Sequence, residues 1–186
     1  SFIVAACGQT GVEDQTPTER PTRIVSLDFC ADQYVLKFVE PEHILAVSPD
    51  AVKPFSYMRV AAIGVPSVRP TAEDVLILKP DLVVRSYGGG PNATAFFGRA
   101  GVPVLNSGGA STIHDAEINS IPSVIRDVAD GLGASERGEV VAQDYIDRLA
   151  ALEDKADGNS TLYMTPAGVT SGGNSLIHEA ITAVGL

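Results

Sequence analysis

An arginine and a tyrosine run into three glycines at Arg85, Tyr87, Gly88, Gly89 and Gly90, just after the apolar pair Val83 and Val84. Glycine turns between a strand and a helix can cradle phosphate on their backbone N–H groups. This one lacks the G-x-G-x-x-G spacing of a dinucleotide turn and the lysine of a P-loop. Its glycines equally serve a turn that needs positive φ. Arg85 and Tyr87 project where a solute could rest; alternatively Arg85 is solvated or pairs with a carboxylate such as Asp50. Cys30 stands at the start of an apolar helical stretch, where a thiol can be acidified into a nucleophile. No histidine lies in the neighbouring segments to serve as its base, so a small buried thiol is the simpler reading. Ser171 and Ser175, in TSGGNS, have no base either, and this is not a G-x-S-x-G elbow. His43, His114 and His178 are scattered, and neither Cys7 nor Cys30 sits in a CxxC or Cys/His cluster. No catalytic constellation and no metal site emerges. A Cys7–Cys30 bridge is open to the chain in an oxidising compartment.

The elements that must position these residues alternate. RIVSL (23–27), ILAVS (44–48), DLVVRS (81–86) and VPVLN (102–106) read as strands. Between them, Asp28 offers an N-cap to the helix ADQYVLKFV, Thr71 with Asp74 opens the helix TAEDVLILK, and NATAFFGRAG closes at Gly101. Ile121, Val124, Ile125, Val128 and Leu132 then share one helical face, which Gly133 stops. This βαβα order predicts a parallel sheet with helices on both faces. A longer helix is expected over 135–155, with Val141, Tyr145, Leu149 and Leu152 as its apolar stripe and a length of roughly 30 Å. A further strand, TLYMT (161–165), a glycine-rich loop and a helix, LIHEAITAVGL, follow. The fold class is thus α/β: a Rossmann-like parallel-sheet lobe over 23–134, a linking helix over 135–156, and over 160–186 the first strand and helix of a second Rossmann-like lobe.

In an open parallel sheet, ligands bind outside the carboxyl ends of the strands. That edge carries Asp28 and Phe29, Asp50, and Arg85 and Tyr87. Thr170, in the loop after 161–165, would face them from a second unit. The 186 residues are 45% hydrophobic and 19% charged, as in a soluble globular chain. A formal net charge of −10 makes nucleic acid a poor partner, since that demands a basic patch. SFIVAAC reads as the tail of an apolar leader, with Val4-Ala5-Ala6-Cys7 fitting a bacterial lipoprotein cleavage site. Residues 8–22 are polar and aperiodic, and read as a tether.

The segments RIVSLDFCADQYVLKF, ILAVSPDA, RPTAEDVLILKPDLVVRSYGGG, GVPVLN and TLYMTPAGVTSGGNSLIHEAITAVGL resemble the periplasmic substrate-binding proteins of ABC importers for siderophores, haem and cobalamin. The resemblance runs from Arg23 to Leu186. It implies two Rossmann-like lobes joined by one rigid long helix, with the ligand held between them and no cofactor. It implies a receptor that delivers its solute to a membrane permease, with the surface glutamate of the first lobe that docks on permease arginines mapping to Glu73. A negative charge in a helix's first turn is favourable in any case. The implied ligand is a ferric siderophore-type chelate, for which Arg69, Arg85 and Tyr87 would suit an anionic, partly aromatic molecule. Haem is a weaker candidate, and so is cobalamin, as the chain has no tryptophan to lie against a corrin. The implied location is extracytoplasmic, with a lipid anchor at Cys7. The departure is the second lobe, which stops after one strand and one helix as if truncated. The rival expectation is a small α/β enzyme, hydrolytic or nucleotide-dependent, using Cys30 or the turn at Gly88, Gly89 and Gly90.

Overall fold

A computed structural model of the chain describes residues 20–108, 120–152, 160–173 and 175–186. The segment ahead of Arg20, with Cys7, lies outside these. The elements are β1 (Ile24–Ser26), α1 (Phe29–Phe38), a 3-10 turn (Pro41–His43), β2 (Ile44–Ala46), α2 (Ala72–Ile77), β3 (Leu82–Arg85), α3 (Ala93–Arg99), β4 (Val104–Asn106), α4 (Ile121–Gly131), α5 (Ser135–Ala150) and α6 (Leu176–Ala183). The four strands form one parallel sheet in the order β2-β1-β3-β4. Ile24 sits opposite Leu82, and Val83 opposite Val104.

The strands are apolar on both sides because helices cover both sides. Ile24, Leu82 and Val84 pack with Val35 and Phe38 of α1 and with Ile125 and Val128 of α4. Val25 and Val83 pack the other way, with Val75 of α2 and Phe97 of α3. The period-2 alternation of a strand thus feeds two separate cores. The chain leaves β1 towards β2 and then crosses back to place β3 on the other flank of β1. Loops therefore diverge between β1 and β3, which is where sheets of this kind bind ligands.

The helix expected over 135–155 starts at Ser135 and ends at Ala150, about 24 Å at 1.5 Å per residue. Residues 153–159 lie outside the described residues. Two small residues make the close contact that the apolar stripe did not announce. Gly138 and Ala142 are the buried positions of α5. A Cβ on Gly138 would stand 2.4 Å from the Ala129 Cβ of α4, so only glycine lets the two helices approach this far. Arg126 and Glu139 bridge the same pair at 2.6 Å. Arg137 reaches α1, donating to the Lys37 carbonyl at 2.7 Å and meeting Glu40 at 2.8 Å, so it caps a helix C-terminus with a cation. Val141 and Tyr145 pack on the core. Leu149 and Leu152, with Tyr34 and Met58, line an open groove of about 520 Å³ beside it.

The strand expected at 161–165 does not form. A strand needs a neighbour for its N–H and C=O groups, and this segment finds its bonds within its own turn. Thr165 N donates to the Val169 carbonyl at 2.8 Å, and Gly168 N to the Thr165 carbonyl at 2.9 Å. Leu162 and Met164 are exposed. The helix after it forms as expected, with the Ser175 hydroxyl capping the His178 N–H.

Candidate functional site: the carboxyl edge of β1 and β3

Asp28 ends β1's run and caps α1. One of its carboxylate oxygens accepts from Ala31 N at 3.1 Å. The other accepts three successive backbone N–H groups of the glycine turn: Ser86 at 2.6 Å, Tyr87 at 3.0 Å and Gly88 at 2.8 Å. Successive N–H groups converging on one point make an anion nest. Here the nest is filled by the protein's own carboxylate, which is 3% exposed. The turn therefore has the local form of a phosphate cradle and holds an aspartate in the phosphate's place.

Arg85 secures the opposite polarity of the same turn. Its Nε donates to the Gly88 carbonyl at 2.8 Å, one terminal nitrogen to the Gly90 carbonyl at 3.0 Å, and the other to the Thr94 hydroxyl at 3.1 Å. Arg85 is 9% exposed. Neither a solvated arginine nor an Asp50 pair describes it. The side chain is spent on the turn, and the expectation that it reaches out to a solute is corrected by this geometry. Asp28 is corrected likewise: its carboxylate is buried under the turn. The glycines have distinct reasons. A Cβ on Gly88 would lie 2.5 Å from the Leu27 carbonyl oxygen, and Gly89 and Gly90 hold φ of 80° and 81°.

What the clamp displays is Tyr87, which is half exposed. Burial, and then the negative charge of Asp28, push its phenol above its ordinary pKa, so it is a neutral hydrogen-bonding group. The backbone of Phe29 opposes this shift. Phe29 in turn meets Phe55 edge-to-face, with centroids 5.3 Å apart. The edge thus brings together Phe29, Asp50 and Tyr87 of the expected residues and adds Phe55. Arg69 stands apart, with its Nε 2.8 Å from Asp74 across the first turn of α2. Thr170 donates to the Tyr163 carbonyl at 2.8 Å within its own turn. Glu73 is exposed in the first turn of α2.

Asp32, one helical turn after Asp28, was missed. It is fully buried and accepts from Ser48 N at 3.0 Å and from the Ser48 hydroxyl at 2.5 Å. Burial pushes its pKa up against those hydrogen bonds. The acids at i and i+4 on α1 hold the loops after β3 and β2 respectively. Their spacing was the available signal.

Cys30 is a free, half-buried thiol. Burial and the negative charge of Asp28 push its pKa up, and outweigh the hydrogen bond to Ser86. The helix N-terminus would act the other way, but two aspartates lie beside it. Among the described residues, no group of three His, Cys, Asp or Glu side chains is placed to hold a metal ion, and no helix is long and apolar enough to cross a membrane.

No protein-family model matches the chain, and no curated protein is similar to it in sequence. Solved structures are. The periplasmic haem-binding protein RhuT from Roseiflexus sp. RS-1 is 27% identical, with a TM-score of 0.65 over 87% of this chain and 63% of its own. The periplasmic vitamin B12-binding protein BtuF of Vibrio cholerae is 21% identical, with a TM-score of 0.65 over 89% of this chain and 64% of its own. A possible iron-binding periplasmic solute-binding protein from Staphylococcus epidermidis is 13% identical, with a TM-score of 0.67 over 89% and 66%. The chain spans less than two thirds of the length of the first two. Its parallel-sheet lobe, its loop-diverging edge between β1 and β3 and its long following helix carry the fold of the periplasmic solute-binding proteins that take haem, vitamin B12 and iron.

Proposed function

We propose that the chain is the first lobe and connecting helix of an ABC importer's solute receptor, which captures an iron chelate extracytoplasmically and hands it to a membrane permease. The observation that supports this most is the carboxyl edge between β1 and β3. Two buried clamps hold its loops, and among the described residues it displays Phe29, Asp50, Phe55 and Tyr87. The 27% identity to a haem-binding protein and the recurrence of iron and vitamin B12 binders among the similar structures favour a metal chelate. A siderophore-type chelate remains within this reading. Glu73, exposed at the start of α2, suits the permease contact, and Cys7 suits a lipid anchor.

The enzyme alternative has less support. Three successive N–H groups of the turn are already bonded to Asp28, and the Cys30 thiol is held neutral. Equilibrium titration of the protein with iron(III) protoporphyrin, ferric desferrioxamine B, cyanocobalamin and ATP tests the proposal. Saturable binding of an iron chelate without its consumption is expected, with no ATP binding. Binding of ATP at micromolar strength, or of none of the chelates, would refute it.

A further inference from the structure

Asp32 is fully buried, and among the described residues no lysine or arginine pairs with it. Its carboxylate instead starts a relay into the loop after β2. Ser48 N donates to one oxygen at 3.0 Å, and the Ser48 hydroxyl donates to the other at 2.5 Å. The same hydroxyl oxygen accepts from Asp50 N at 3.2 Å. The Ser48 carbonyl accepts from Ala51 N at 3.2 Å, so the turn 48–51 hangs on one buried acid. Near it the Ser26 hydroxyl of β1 is also fully buried and makes no well-formed hydrogen bond. A spare hydroxyl can accept from a protonated carboxyl as readily as it donates to a charged one.

The relay has a polarity. With Asp32 ionised, the Asp50 N–H, the Ser48 O–H and the carboxylate are aligned, and each bond polarises the next. With Asp32 protonated, Ser48 loses its charged acceptor and the hold on Asp50 weakens. The titratable groups around the acid are Asp28 at the end of β1, Cys30 on the same helix and Asp50 on the loop. Arg85 of β3 is committed to the glycine turn, and α4 meets this core through apolar Ile125 and Val128. Burial, and then the charge of Asp28, favour the neutral form, while the hydroxyls of Ser26 and Ser48 favour the charged one. We propose that Asp32 is an acid-sensitive latch on the ligand-bearing edge: ionised, it fixes the turn 48–51 and with it Asp50, and on taking up a proton it loosens that turn while the sheet stays folded. This goes beyond the receptor reading and does not depend on it.

Acid acts on the whole fold in the opposite sense. The folded pKa of Asp32 lies above the unfolded one. Its contribution to global stability is therefore complete below the ordinary carboxyl range and is lost as pH rises through the folded value. Native-state hydrogen exchange, corrected for intrinsic rates, separates the two effects in wild type and Asp32→Asn, with the Asp32 carboxyl carbon shift titrated in parallel. On acidification the wild-type Asp50 amide should lose about 5-fold in protection, the worth of a modest hydrogen bond. The midpoint should be that of the Asp32 carboxyl. Asp32→Asn cannot ionise. It should show the loosened value at neutral pH, no step with pH, and a urea midpoint at pH 7 no lower than wild type. Ser86, Tyr87 and Gly88, which Asp28 holds, should keep their protection in it. A wild-type Asp50 amide whose protection is flat across the Asp32 titration overturns the latch, whether or not the variant folds. Wild-type protection of Asp50 in Asp32→Asn overturns it too. If the variant instead loses protection at Asp50 and at Ser86, Tyr87 and Gly88 together, with a lower urea midpoint, the acid is structural and the latch is wrong.

Discussion

Replacing Asp28 with alanine should cost the protein about 3 kcal/mol. Four backbone donors lose their acceptor at once: Ala31, Ser86, Tyr87 and Gly88. The N-cap bond to Ala31 accounts for about 1 kcal/mol. The Gly88 N–H is buried under the turn, and an unsatisfied buried donor costs about 1–3 kcal/mol. Ser86 and Tyr87 are partly exposed, so water replaces the carboxylate and about 0.5 kcal/mol each is lost. Against this, the buried carboxylate's own desolvation is removed, which trims the sum. Out of a typical stability of roughly 5–15 kcal/mol, the loss is large. Asp28→Asn should cost less, about 2 kcal/mol, because its single oxygen can serve the turn while the amide nitrogen faces the Ala31 N–H. Urea denaturation gives the two energies from the shift in midpoint. Native-state hydrogen exchange adds a local readout, with Ser86, Tyr87 and Gly88 losing protection ahead of the sheet. A cost below 1 kcal/mol for the alanine variant, with those amides still protected, would show that the nest does not depend on its carboxylate.

Arg85→Ala should destabilise the protein by about 2–3 kcal/mol, since it removes charge-assisted bonds to two carbonyls and a hydroxyl. Arg85→Lys should recover only part of this, as one ammonium cannot reach three acceptors. If instead unfolding is unchanged and only chelate affinity falls, the arginine contacts ligand and its placement under the turn is wrong. In a Cys7→Ser background, the Cys30 thiol should react slowly with iodoacetamide at neutral pH. Its pKa is raised, so the thiolate appears only on the alkaline side of the ordinary thiol range, about 8.5. A reactivity midpoint near pH 7 would reopen the nucleophile reading.

Local signals in the sequence carried the elements well. Thr71 capping Asp74 and Asp28 capping Ala31 are bonds spanning three residues, and a reader of spacing finds them directly. The four strands of the sheet were legible because burial on both sides leaves them as short apolar runs. The site was legible only as an edge. Asp28 bonds residues 58 to 60 positions away, and that pairing exists only because the sheet sets β1 beside β3. Phe55 meets Phe29 from a loop with no periodicity at all. Counting large apolar residues also passed over Gly138 and Ala142, whose smallness is what makes the α4–α5 contact. TLYMT has a strand's composition, but pairing is a property of two segments, and composition reports on one.

The misreading of Arg85 has a common physical root with the correct suspicion about the glycines. A turn that looks built for an anion offers a cluster of N–H donors and needs a cation nearby to balance its carbonyls. Both requirements can be met by a ligand or by the protein. Sequence shows the demand; only the fold shows who supplies it. Here Asp28 arrives from β1 and Arg85 from β3, adjacent strands of one sheet, and the two side chains engage three N–H groups and two carbonyls of the turn. The consequence for function follows from that closure. With those groups engaged internally, the large side chain that the turn exposes is the neutral Tyr87. A phosphate would find the N–H groups of Ser86, Tyr87 and Gly88 already taken by a carboxylate. A ligand with an apolar face would find a surface that does not need to move to receive it.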